Sequence, residues 1–291
     1  MRYEGVVYRP PSEAGSLLIQ ATIGCPHNKC TFCNMYKGTK FRLRPVEEIK
    51  EDLLAARDYY GEYVESLFFP DGNTIIMKTD QLVEIFEYAH SLFPHLKRIT
   101  VYGSARYVNV KKQDELIRLK EAGLARVHTG MESGDDEVLK RISKGVTAEG
   151  IISAGIKLMN AGIDVSEYYL VGIGGEELTE QHAINSAKAL SQFSPDFIRL
   201  RTFVPVPGTP IYEDYQAGTF KLLSPHQALR EIRLLIENLD CQGTTVLSDH
   251  VSNYWNVNGG LPEDKDKMIK GIDRALTIDE SRFRMTSPFR L

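Results

Sequence analysis

The chain is poor in most of the features that announce a function. No stretch reaches 18 consecutive apolar residues, so no transmembrane helix is expected. Net charge is small, with 35 basic against 39 acidic side chains for a formal −4. A protein that neutralises many phosphates through counterion release carries a clear basic excess, so nucleic acid is not expected as a partner. Four cysteines in 291 residues are too few for a disulfide scaffold, and a chain of this length builds its core without staples. No internal repeat or low-complexity linker interrupts it. The opening MRYEGVVYRPPSEAGS lacks the basic-then-apolar order of a secretory signal, which gives an expectation of the cytoplasm and reduced thiols. What remains is local: three of the four cysteines fall within nine residues, Cys25 to Cys33.

Around them the pattern is regular. Short runs rich in β-branched and aromatic residues predict strands over Ser16–Ile23, Ser66–Phe69, Arg98–Gly103, Arg126–Met131, Val165–Val171 and Phe197–Phe203. Amphipathic stretches between and after them predict helices over Val46–Tyr60, Thr79–Leu92, Lys112–Ala122, Thr147–Ala161, Thr179–Ser191 and Ser224–Leu239. Strand and helix in alternation imply right-handed crossovers and a parallel sheet, either doubly wound or barrel-like. In both, chemistry gathers in the loops after the strands, and the unusual residues lie there. We expect one domain, with a lead-in over 1–15, a core over 16–240 and a C-terminal extension over 241–291 that covers one end of the sheet. The extension carries a Gly259-Gly260 turn, a last helix over Lys265–Leu276 and a basic tail from Arg282 to Leu291.

The cysteines read Cys25-Pro-His-Asn-Lys-Cys30-Thr-Phe-Cys33, a C-x4-C-x2-C spacing. Three thiolates on one loop suit three irons of a cubane and leave the fourth iron open. Zinc would need a fourth ligand, His27 or the distant Cys241. Redox thiols are the remaining reading, and spacing alone leaves all three open.

The loop, together with the later strand-end segments in their order, resembles the radical S-adenosylmethionine (SAM) superfamily over roughly residues 15 to 240. Motif order is similar to the coproporphyrinogen oxidase, Elongator-type and methylthiotransferase branch. Phe32 before the last cysteine matches the family habit, whereas the usual spacing is C-x3-C-x2-C. The resemblance implies an α/β fold, a partial (β/α)6 TIM-like barrel with a C-terminal extension. It implies a [4Fe-4S] cluster on Cys25, Cys30 and Cys33, and S-adenosyl-L-methionine cleaved reductively to methionine and a 5'-deoxyadenosyl radical. Asp71-Gly72-Asn73 occupies the place of the family's Gly-Gly-Glu segment, which holds the methionine amino group. Glu132 corresponds to the residue that contacts the ribose, and Lys144, twelve positions on, to the one that reaches the methionine carboxylate. Ser104 and Arg106 follow strand three near the cosubstrate, Tyr168 lies on strand five, and the backbone at Val206 passes along the adenine. Gly172 to Gly175 give room beside the adenosine.

Other residues stand apart. Arg199 and Arg201 share one face of a strand at period two, where buried cations would call for an anion. His128 reads as a core histidine, Cys241 as a packing thiol, and Ser248-Asp249-His250 with Asn253, Tyr254 and Trp255 as the candidate for substrate recognition. No second cysteine group is present, which argues against methylthiotransferases and enzymes with auxiliary clusters. The short lead-in gives no expectation of a cobalamin domain. The reading is a one-cluster enzyme acting on a small molecule or short peptide, with flavodoxin or ferredoxin as electron donor. The alternatives are a cluster or cofactor carrier similar to the haem chaperones, and a zinc-stabilised binding protein.

Overall fold

A computed structural model describes residues 1–283; the remainder of the expected basic tail lies outside them. The strands are β1 Leu17–Leu18, β2 Thr22–Ile23, β3 Arg42–Leu43, β4 Ser66–Phe69, β5 Arg98–Gly103, β6 Leu124–Glu132, β7 Asp164–Val171, β8 Phe197–Thr202, β9 Thr244–Leu247 and β10 Gly259–Leu261. The helices are α1 Val46–Tyr60, α2 Thr79–Leu92, α3 Ala105–Val108, α4 Gln113–Glu121, α5 Asp136–Arg141, α6 Ala148–Asn160, α7 Gly175–Ser191, α8 Pro210–Gln216, α9 Pro225–Asn238 and α10 Lys265–Ala275. Eight strands make one mostly parallel sheet in the order β1-β4-β5-β6-β7-β8-β9-β10, and β2 pairs with β3 separately. That order never reverses. A doubly wound sheet reverses at a switch point, so the succession is that of the singly wound, TIM-like class.

The chain divides into two compact units. The first comprises Met1–Asn28, Tyr36–Thr129 and Ile156–Val165. Here β1, β4 and β5 run parallel with Leu17 opposite Leu67 and Leu67 opposite Ile99. Leu67, Phe68, Phe69, Ile99 and Val101 are all fully buried, the continuous apolar reading of strands covered on both faces. Helix α1 follows Pro45, carries Glu47 and Glu48 in its first turn, and buries Ile49, Leu53 and Ala56 at helical spacing; acidic groups there suit the helix dipole. His128 lies fully buried with Nε2 3.0 Å from Glu13 Oε1, the core role read from sequence.

The expected first strand is two strands. After Ile19 the backbone turns away, because the Arg44 guanidinium takes the Gln20 carbonyl at 2.8 Å and the Arg44 N–H takes that of Ala21 at 3.0 Å. Residues 22 and 23 then pair antiparallel with β3.

The second unit comprises Lys29–Met35, Gly130–Gly155 and the chain from Ser166 onward. Strands β7, β8 and β9 are parallel, with Arg199 opposite both Tyr168 and Leu247. Gly259 and Gly260 are strand residues paired antiparallel with Val246 and Thr245, so the turn expected there is absent and the extension lengthens the sheet. Val138, Ile142, Leu170, Ile173, Phe203, Ile211 and Phe220 form a core on which Phe32 packs. Helix α9 begins with a capping box, Ser224 Oγ and the Gln227 amide exchanging backbone bonds, with Pro225 in the first turn.

Candidate functional site

In the first unit, the turn after β4 meets the start of the cysteine loop. Gly72 N–H donates to the Gly24 carbonyl at 3.1 Å. A Cβ on Gly72 would stand 2.7 Å from Cys25 Cβ, so only glycine admits this approach. The Cys25 sulfur accepts from Asn28 N–H at 3.5 Å and faces the Asn73 amide at 4.0 Å. Asn73 Oδ1 is buried with no hydrogen-bond partner, a polar atom left for something else to satisfy. Asp71 has φ +74° and is 1% exposed, with its carboxylate accepting from Gln20 at 2.9 Å and from the Tyr36 hydroxyl at 3.4 Å. A buried side chain on a left-handed backbone is more than a surface Asp-Gly turn. Ser104 precedes α3 without capping it. Arg106 is exposed, its guanidinium 6.0 Å from the Tyr107 ring.

Burial pushes the Asp71 carboxyl up to about 6, against the hydrogen bonds from Gln20, Tyr36 and the Gly24 N–H. The folded chain therefore binds this proton more tightly than the unfolded chain does. Its stabilising contribution is complete below about pH 4 and disappears as the pH rises through 6. The stability of the apo protein relative to Asp71→Asn is expected to fall by up to about 3 kcal/mol between pH 4 and pH 7. Urea titrations of both proteins at those pH values measure it, and a pH-independent difference would contradict the assignment.

In the second unit, the rest of the loop is held by its backbone: Thr31 N–H donates to Ile142 O at 3.0 Å and Ile211 N–H to Thr31 O at 3.2 Å. Lys144 follows the short helix α5 on a chain reversed by Ser143, φ +52°. Its ammonium turns to Glu132, Nζ to Oε1 2.8 Å, the two side chains only 12% and 15% exposed. Gly130 makes room, since a Cβ there would stand 2.3 Å from Glu132 Oε1 and 3.1 Å from Lys144 Nζ. Burial works against the ammonium, but Glu132 and the sulfurs of Cys30 and Cys33 outweigh it and hold Lys144 above the ordinary lysine value. Lys144 Nζ also lies 5.9 Å from the Phe32 ring. Glu132, at the end of β6, has φ +60°. Tyr168 lies on β7 opposite Arg199. The Val206 carbonyl accepts from Thr209 Oγ1 at 2.7 Å, and Asn34 reaches the neighbouring Pro207 carbonyl at 3.4 Å.

A buried network beside Glu132 escaped the sequence. Ser133 Oγ lies 2.8 Å from His182 Nδ1, and His182 Nε2 lies 3.2 Å from the Leu170 carbonyl. The carbonyl only accepts, so Nε2 carries the proton and Nδ1 receives the Ser133 hydroxyl. Burial lowers the His182 pKa and keeps the ring neutral. Tyr169 stacks on it at 4.5 Å and donates to Glu231 at 3.0 Å. Glu231 also accepts from Gly172 N–H at 2.8 Å and Thr179 at 2.6 Å, tying down the glycine loop after β7. A signal existed: Glu231 occupies the face of α9 that buries Ala228, Ile232 and Leu235, where a carboxylate needs partners.

None of the four cysteines is in a disulfide; Cys25, Cys30 and Cys33 are partly exposed and Cys241 is buried. Among the described residues no three His, Cys, Asp or Glu side chains converge as a single zinc ion requires. A cluster instead spreads its thiolates over separate irons. Within the second unit a largely buried cation stands beside the sulfurs of Cys30 and Cys33, and within the first an unsatisfied amide oxygen belongs to the residue that faces the Cys25 sulfur.

The fold is of the α/β, singly wound parallel class. The chain belongs to the radical SAM superfamily, whose model matches residues 19–187. Members are enzymes that use a [4Fe-4S] cluster and S-adenosylmethionine. An uncharacterised protein of Methanocaldococcus jannaschii is 23% identical over 250 residues, covering 82% of this chain and 74% of its own. Methylornithine synthase superposes with a TM-score of 0.53 at 19% identity, over 91% of this chain and 83% of that one. Coproporphyrinogen III oxidase of Escherichia coli, a radical SAM enzyme, gives 0.55 at 18% identity over 76% of this chain and 51% of its own. These structural likenesses establish the fold. No helix among the described residues is long and apolar enough to cross a membrane.

Proposed function

We propose that the chain binds a [4Fe-4S] cluster through Cys25, Cys30 and Cys33 and cleaves S-adenosylmethionine reductively, acting on a small molecule or short peptide. When bound, the cluster supplies the electron that splits the sulfonium C–S bond into methionine and a 5'-deoxyadenosyl radical. The chain's own residues bind and orient. Asp71, Gly72 and Asn73 hold the methionine amino group, the Asn73 carbonyl oxygen being free to accept. Lys144 supplies a charge for the carboxylate, kept protonated by Glu132, which also faces the ribose. Ser104, Arg106, Tyr168 and the backbone at Val206 complete the surround of the cosubstrate. A reducing cytoplasm and a flavodoxin or ferredoxin donor suit partly exposed thiols and a cluster that must be reduced.

The observation that carries this reading is the Lys144–Glu132 pair beside Cys30 and Cys33: the residues assigned to cosubstrate and to cluster meet in one unit. Low-temperature electron paramagnetic resonance of the reconstituted, dithionite-reduced protein tests it. A [4Fe-4S]+ signal whose shape changes on adding SAM is expected; a cluster signal indifferent to saturating SAM would overturn cosubstrate binding.

A further inference from the structure

Two arginines of β8 have no role in this reading. Arg199 and Arg201 share a face of that strand, but they are treated differently. Arg199 is 6% exposed, donates to Ser166 Oγ at 3.0 Å and packs over Phe197 at 5.7 Å. Arg201, one residue before the strand ends, has a buried Nε with no hydrogen-bond partner, and none of the ion pairs among the described residues includes it. A buried guanidinium N–H left unbonded costs free energy that a ligand can recover.

The C-terminal extension is fastened to this strand end. Thr202 N–H donates to Asn253 Oδ1 at 2.8 Å and to Ser252 Oγ at 3.1 Å. Asn253 donates back to the Leu200 carbonyl at 2.8 Å and to that of Ser248 at 3.0 Å. These bonds bring the 248–253 turn, with His250, alongside Arg201. The tautomer of His250 follows from its contacts. Ser252 N–H can only donate, and it points at His250 Nδ1 from 3.1 Å, with Ser252 Oγ 2.9 Å from the same nitrogen. The proton therefore sits on Nε2, which has no partner within the described residues. Burial and then the Arg201 charge drive the His250 pKa down to about 4, so the ring is a neutral donor throughout the physiological range. Asp249 is the acid whose charge opposes this shift. It forms no ion pair with Arg201.

We propose that Arg201 and His250 recognise an oxyanion, carboxylate or phosphate, borne by the substrate. The site rests on the radical SAM reading for its purpose, since it lies on the βα end of the sheet where substrate would meet the radical. The forked guanidinium suits two oxygens of one anion, and the imidazole N–H supplies a third bond without adding charge.

The test uses the reconstituted holoenzyme labelled at histidine 13Cε1, titrated anaerobically with sodium phosphate and with sodium acetate, and with sodium chloride at equal ionic strength. His250→Asn keeps an oxygen in place of Nδ1 and identifies the His250 resonance by its loss. A saturable shift of that resonance with phosphate, acetate or both, absent with chloride, is expected. Phosphate alone would assign a phosphorylated substrate and acetate alone a carboxylic acid. Arg201→Met is expected to weaken the effect at least tenfold, Arg201→Lys to give an intermediate value, and Lys270→Met, an exposed cation on α10, to leave it unchanged. If chloride shifts the resonance as phosphate and acetate do, or if both Arg201 variants bind as the wild type does, the proposal is wrong. Absence of 5'-deoxyadenosine formation by the wild type would overturn the radical SAM reading instead, and leaves the His250 titration to be judged separately.

Discussion

Replacing Cys30 with alanine is expected to abolish retention of the cluster, and with it all formation of 5'-deoxyadenosine, while the apo protein keeps its fold. The two effects separate because the sulfur and the backbone at this position have different tasks. Cys30 is partly exposed, and its segment is anchored by bonds from Thr31 N–H to Ile142 and from Ile211 N–H to Thr31, none of which uses the thiol. Removing this partly exposed sulfur is expected to cost the fold about 1 kcal/mol, too little to unfold it. Removing one of three ligands leaves an iron without protein support. Cys241 provides the contrast. It is 1% exposed, so Cys241→Ala is expected to keep full iron content and to lower apo stability by about 1 kcal/mol through the small cavity. Iron and sulfide analysis beside urea denaturation reads both variants. Full iron in Cys30→Ala would remove the loop from the cluster.

The second large effect is expected at Lys144. Lys144→Met leaves the Glu132 carboxylate, 15% exposed and bonded at 2.8 Å, without its cation. Breaking one side of a largely buried pair costs about 3 kcal/mol. Lys144→Met is also expected to weaken SAM binding at least about tenfold, or 1.4 kcal/mol, because it removes the cation proposed to meet the methionine carboxylate. The double variant Lys144→Met, Glu132→Gln leaves no orphaned charge and should be more stable than the sum of its parts. Calorimetric titration with SAM separates the two effects: a variant that loses stability and binds SAM normally would confine Lys144 to the helix end.

Much of this was legible in the chain. The strands Ser66–Phe69 and Arg98–Gly103 and the helices Val46–Tyr60 and Thr79–Leu92 occur at the bounds the pattern predicts, since strands buried on both faces are runs of apolar residues and the helices that cover them alternate apolar and polar faces. What escaped depends on distant partners. The break after Ile19 is made by Arg44, and Gly259-Gly260 is strand because β9 lies beside it. The short helices α5 and α8 carried readable starts, Asp135 accepting from Val138 N–H and Thr209 from Tyr212 N–H, but each runs too few turns for periodicity to register. In the site, Lys144 could be singled out by its place after the cysteine loop and Glu132, but its ion pair with Glu132 depends on a chain reversal at Ser143 that the sequence does not announce. The His182–Glu231 network was hidden because the buried carboxylate on α9 calls for partners without naming them, and nothing local says that it shares Tyr169 with a histidine on α7.

The most direct test is product formation by the wild-type protein, reconstituted anaerobically with iron and sulfide, reduced with dithionite and supplied with SAM. The account predicts methionine and 5'-deoxyadenosine in equal amounts, dependent on both reductant and cluster. An intact, reducible cluster that yields neither product would contradict it, and would leave a cluster-carrying protein on the same fold.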